Sequence, residues 1–132
     1  MALQYSVSVN NARLDAVEST TGTSAKLRIY TGAAPANCAA AATGTLLVEM
    51  ALPSDWMAAA SAGSKVKAGS WTGTGAAAGV AGYFRIVDNA GTTAHIQGTC
   101  GQGTGDMSLD NTNIAIGQTV TVNTFTLNSA NT

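Results

Sequence analysis

Apolar residues follow two rhythms along this chain. Between residues 3 and 18, Leu3, Val7, Leu14 and Val17 fall near one helical face while Arg13, Asp15 and Glu18 fall elsewhere, a pattern that predicts a short amphipathic helix. The polar run "STTGTS" stops it, because Gly22 can take a left-handed backbone at little cost. Alternation in "QYSVSV" also permits a strand at this end.

From residue 25 to residue 128 the period becomes two. "AKLRIYT", "TLLVEMAL", "GYFRIVD", "TTAHIQGT" and "QTVTVNTFTLN" read as short strands bounded by Gly, Asn, Asp and Pro. Six to eight such strands predict an all-β fold, a jelly-roll-like antiparallel β-sandwich behind the N-terminal helix, with residues 1–132 forming a single domain. In the last strand Val120 and Val122 share one phase and Phe125 and Leu127 the other, so a bulge near Asn123 is expected to bring all four to the core.

Three low-complexity stretches interrupt the strands: "TGAAPANCAAAATG", "AAASAGSKVKAGSWTGTGAAAGVAG" and "GTCGQGTGD". Glycine and alanine bury little area each, so such segments are expected to be mobile unless a neighbour orders them. That expectation favours assembly, as a dimer or trimer of this chain, with Tyr5, Val9, Leu14, Trp56 and Trp71 as candidate contact residues.

Charge narrows the partners. Six Lys and Arg against seven Asp and Glu give a net charge of -1, far from the basic excess that phosphate neutralisation needs, so no nucleic acid and no anionic membrane surface is expected. Much of the 45% apolar content is alanine, and no run approaches the roughly 18 apolar residues of a membrane span. The opening residues lack a basic n-region followed by a hydrophobic core, which points to synthesis in the cytoplasm.

Candidate chemistry is sparse. The single histidine, His95, is predicted on the outer face of its strand beside Thr93 and Gln97, and Asp88 belongs to the turn "DNAG", where its carboxylate can accept from backbone amides. Asp106 and Asp110 in "DMSLDN" carry oxygen ligands but not the alternating acidic loop of a calcium site, and no "GK[ST]" follows the glycines of "GTCGQGTGD". Cys38 and Cys100 are too few and too far apart for a zinc cluster, and are expected as reduced thiols with a long-range disulfide as the alternative. Trp56 and Trp71 could form a sugar platform but more often such indoles anchor a fold or an interface. The reading is therefore a non-enzyme, with no catalytic residue, no cofactor and no metal site.

Several stretches resemble small virion-associated proteins of tailed bacteriophages and prophages: "ALQYSVSVNNARLDAVESTTGTSAKLRIYTGAAPANCAAAATGTLL", "LPSDWMAAA", "AGYFRIVDNAGTTAHIQGT" and "MSLDNTNIAIGQTVTVNTFTL". The resemblance implies a structural protein located in the virion, with the major capsid protein as partner. A capsid decoration, or cement, protein binds assembled capsomers in preference to free subunits, so its binding energy adds to the stability of the shell. The alternative it implies is a neck, tail or head-fibre component that could bind host-surface carbohydrate.

Overall fold

A computed structural model of the chain describes residues 3–129. Among these residues one helix, α1 (Val7–Thr21), precedes nine strands: β1 (Lys26–Thr31), β2 (Leu46–Ala51), β3 (Ser64–Val66), β4 (Thr72–Thr74), β5 (Gly79–Val87), β6 (Ala94–Gly101), β7 (Met107–Leu109), β8 (Asn113–Ile114) and β9 (Thr119–Asn128). The five strongest alternating segments became β1, β2, β5, β6 and β9. β3 and β4 lie inside the stretch predicted as a low-complexity insertion, each only three residues long. They continue one another along β9, since Lys67 N–H donates to Phe125 O (3.1 Å) and Trp71 O accepts from Val122 N–H (3.0 Å) across the break between them.

The hydrogen-bond path runs β2-β1-β5-β6-β7-β9-β3, with β4 also on β9 and β8 on β5. This is one curled, mixed sheet, a half-barrel, in place of the jelly-roll-like antiparallel sandwich that the alternation predicts. The mixed character comes from β6 and β7, which are parallel through Cys100↔Met107 and Gly101↔Ser108. Parallel neighbours ordinarily need a crossover of a dozen or more residues. Here the chain turns back within residues 102–106, where Gly103 and Gly105 both have φ near +80° (75° and 82°), a region that side-chain-bearing residues rarely adopt.

The curl brings β4 against β2 at a seam where Gly73 is required. A Cβ at that position would lie 2.8 Å from Met50 Cγ and 3.3 Å from Glu49 O. Inside the curl sits one hydrophobic cluster from Ala25 to Phe125. An aromatic chain crosses it, with ring centroids 6.0 Å apart for Trp56 and Trp71, 5.7 Å for Trp71 and Phe125, and 5.5 Å for Phe84 and Phe125. Each indole N–H has an acceptor, Gly22 O (2.9 Å) for Trp56 and Ala68 O (3.1 Å) for Trp71. Both indoles are 0% exposed, which removes Trp56 and Trp71 from the candidate contact surface: they bind the fold to itself. The expected bulge in β9 is present at Asn123, because Ser108 faces Thr124 while Leu109 faces Val122. Val120, Val122 and Phe125 are buried and Leu127 packs on the same cluster.

The helix differs from its prediction. It runs from Val7 to Thr21 rather than from 3 to 18, because Ser6 is extended and its side chain accepts from Val9 N–H (3.2 Å), which caps the helix there. Gly22, at φ 96°, ends it as expected. Only Asn10, Leu14 and Thr21 are buried along it, while Leu3 and Val7 stand 73% and 50% exposed. Leu14 is thus turned into its own chain and is no contact residue, whereas Tyr5 and Val9 remain on the surface.

Candidate functional site

α1 is seated by charge. Asp15 and Glu18 are three apart and so share one face of the helix, and β3 presents Lys65 to both. Lys65 Nζ lies 2.6 Å from Asp15 Oδ1 and 3.0 Å from Glu18 Oε1, with its side chain 1% exposed. Each carboxylate also accepts from the backbone that the helix covers: Asp15 from Ala60 N–H (3.0 Å) and Glu18 from Met57 N–H (3.0 Å). Asn11 accepts from Gly63 N–H (2.9 Å). Burial by itself disfavours the ammonium, but the hydrogen bonds and charges of Asp15 and Glu18 outweigh it and hold the Lys65 pKa above its ordinary 10.5. The hydrogen bond from Lys65, with that from Ala60, lowers Asp15 below its ordinary 3.8. Beside this cluster an open cleft of about 560 Å³ is lined by Ser19, Thr23, Ser54, Asp55 and Ala59 among others.

The opposite face of the sheet is covered by the first low-complexity stretch. Residues 32–45 lie over β5 and β6, held by Arg85, whose Nη2 donates to Ala40 O (2.7 Å) and Asn37 O (3.2 Å) and whose Nε donates to Gln97 Oε1 (3.2 Å). Gln97 Nε2 donates to Pro35 O (2.8 Å), and Tyr83 both donates to Thr43 O (2.6 Å) and accepts from Thr43 N–H (3.0 Å). Tyr30 stacks on Tyr83 at 5.0 Å. A stretch expected to need an outside neighbour is therefore ordered by the sheet beneath it. Nothing in its own alanines signals this; the signal lies in Arg85, a cation on a strand that is buried on both faces.

The remaining candidate residues are spread apart. A bulge between Ile86 and Val87 breaks the pairing of β5 with β6, so His95 and Gln97 no longer share a face. His95 lines a groove with Arg13, Ala16, Val17 and Thr20 of α1, half-buried under the helix rather than on the solvated face predicted for it. Asp88 accepts from Thr92 N–H (2.8 Å) and Thr93 N–H (3.2 Å), the turn role expected of it, and these bonds lower its pKa. Asp106 accepts from Thr99 N–H (2.9 Å) and Asp110 from Thr121 N–H (3.1 Å), so the two are spent on different strands. Among the described residues no group of three or more His, Cys, Asp or Glu is placed to hold a metal ion. Cys38 and Cys100 are free, and burial together with the Asp106 charge pushes the Cys100 thiol up to about 12. No helix among the described residues is long and apolar enough to cross a membrane.

Comparison with protein-family models, with curated proteins and with solved structures finds no match to this chain.

Proposed function

We propose that this chain is a structural protein of a tailed-phage particle, and within that class a decoration protein that stabilises the assembled head by binding between capsomers. Its partner is then the major capsid protein, its place the outside of the virion, and its work is contact rather than catalysis. The observation that carries the reading is the difference between the two ends of the segment from Leu3 to Thr21. The later turns of α1 are fixed to the sheet by Lys65, Asp15 and Glu18; at the other end Leu3, ahead of the helix, and Val7 and Val9 in its first turn are 73%, 50% and 44% exposed. Exposed apolar residues gathered at one end of an anchored element are a contact surface in search of its counterpart. The charged groups support the same reading: Lys65 holds Asp15 and Glu18, and Arg85, Asp88, Asp106 and Asp110 each hold backbone in place.

Copy number in purified particles tests this. Hundreds of copies per particle, and particles that burst at lower temperature when the protein is removed, are the expected outcome. A few copies at one vertex would replace decoration with a neck, tail or fibre role. Saturable binding on a glycan array would favour that second reading, with the open cleft beside α1 as the place to look for it, and turnover of peptidoglycan would overturn the structural reading altogether.

A further inference from the structure

The curled sheet has a gap between β6 and β9 where β7 is missing. β7 stands between β6 and β9 only over Met107–Leu109, paired to β6 at Cys100 and Gly101 and to β9 from Phe125 to Val122. Before Met107 the chain turns off at Asp106, whose carboxylate takes Thr99 N–H and the Thr99 hydroxyl. Below that point β6 and β9 continue without a strand between them. The space, about 540 Å³, has Phe84, Ile96, Phe125 and Leu127 at its floor and Gln97, Thr124, Thr126 and Asn128 along its walls.

Both walls turn main-chain hydrogen-bonding groups into this space. Along β9, Phe125 O accepts from Lys67 N–H and Ser129 N–H donates to Gly63 O, so the odd-numbered residues face β3. Alternation along an antiparallel strand then turns the N–H and C=O of Thr126 and Asn128 the other way, toward β6. Along β6, Thr99 N–H points away from β5 to Asp106, and the same alternation turns the main-chain groups of Gln97 toward β9. Two facing strand edges with a space continuing the line of β7 form a template for an added strand. At the lower end Asn10, 0% exposed, accepts from the Ser129 hydroxyl, and its Nδ2 is a buried donor with no partner among the described residues.

We propose that this groove accepts the N-terminal segment, residues 3–6, of a second copy of the chain as an added β-strand. The segment has what the groove needs. It is exposed and not helical, Ser6 is extended (φ -64°, ψ 159°), and Leu3 and Tyr5 alternate with Gln4 and Ser6, so apolar side chains can meet the floor while polar ones face solvent. At about 3.3 Å per residue, three or four residues match the length of β9 from Thr126 to Asn128. In its own molecule the segment is tied elsewhere, with Ser6 capping α1 and Tyr5 lying over the Arg13 guanidinium at 4.8 Å. The association gives the self-contact expected of this chain a geometry, and it does not depend on the virion assignment.

The test uses the full chain with a photo-reactive benzoylphenylalanine replacing Leu3, mixed with an equal amount of isotopically heavy chain and irradiated. Cross-links between light and heavy copies that map to residues 96–97 or 126–128 are expected. In parallel, sedimentation is expected to show concentration-dependent association, weakened at least tenfold by the exposed-site double variant Leu3→Asp, Tyr5→Asp, with an unchanged circular dichroism spectrum confirming its fold. Cross-links confined to single copies, cross-links mapping elsewhere, or a wild-type chain that stays monomeric at every concentration would each overturn the proposal. None of these results bears on copy number in particles, so its failure is distinguishable from failure of the decoration reading.

Discussion

Inside the curled sheet Trp56, Trp71, Phe84 and Phe125 make a dry aromatic chain, whereas at the helix seat α1 contributes a single buried aliphatic side chain, Leu14, and is held by Lys65, Asp15, Glu18 and Asn11. The interior is non-directional: its energy follows the area removed from water, and any side chain of similar shape supplies most of it. The seat is directional, because a buried ammonium is tolerated only when both carboxylates are in place. The contrast explains how the helix is seated while Val7 and Val9 stay at the surface: its hold on the sheet needs no apolar stripe.

The largest effect is expected from the interior. Trp71→Ala removes a fully buried indole and its bond to Ala68 O, and should cost about 4 kcal/mol in a denaturant titration. Next comes the seat. The double change Asp15→Asn, Glu18→Gln leaves Lys65 buried without a counter-charge and should lower the denaturation midpoint, by less than Trp71→Ala does. Lys65→Met should be milder, because Asp15 and Glu18 reach solvent more readily than the lysine does (49% and 18% against 1%). If the two variants cost the same, the seat is not electrostatic and the comparison fails.

The pH dependence sharpens it. Lys65 is raised, so its contribution is complete below about 10.5 and fades as pH climbs through the higher folded value; Asp15 is lowered, so its contribution is complete above 3.8 and fades as pH falls. The stability difference between wild type and Lys65→Met should therefore be flat between these limits and shrink outside them, measured by thermal unfolding across pH. A smaller effect is expected on the outer face, where Arg85→Met should cost about 2 kcal/mol and speed hydrogen exchange at Thr43 and its neighbours. The smallest is chemical: with its thiol raised to about 12, Cys100 should resist alkylation at pH 8 in the folded chain and react once it is unfolded.

Local pattern carried the strands with a clear period of two, the Gly22 stop, the Asn123 bulge and the Asp88 turn, since each depends on neighbours within a few residues. β3 and β4 escaped notice because three-residue strands in a Gly- and Ala-rich stretch show no period; they exist because β9 offers them an edge. Lys65 carries no local signal of its role, which exists only because the fold sets it opposite Asp15 and Glu18, about fifty residues away in sequence.

What the chain determined by itself was its β character, the helix near its N-terminus and the small-residue stretches that let backbones approach, all consequences of local sterics and side-chain alternation. Tertiary structure alone decided that the indoles face inward, that the alanine-rich stretch lies on Arg85, and that β7 runs parallel to β6 and stops short, leaving β6 and β9 unbridged beyond it. These outcomes rest on which distant segments meet. A period of two specifies that a residue has a face, and only the closed path of the sheet decides what that face will touch.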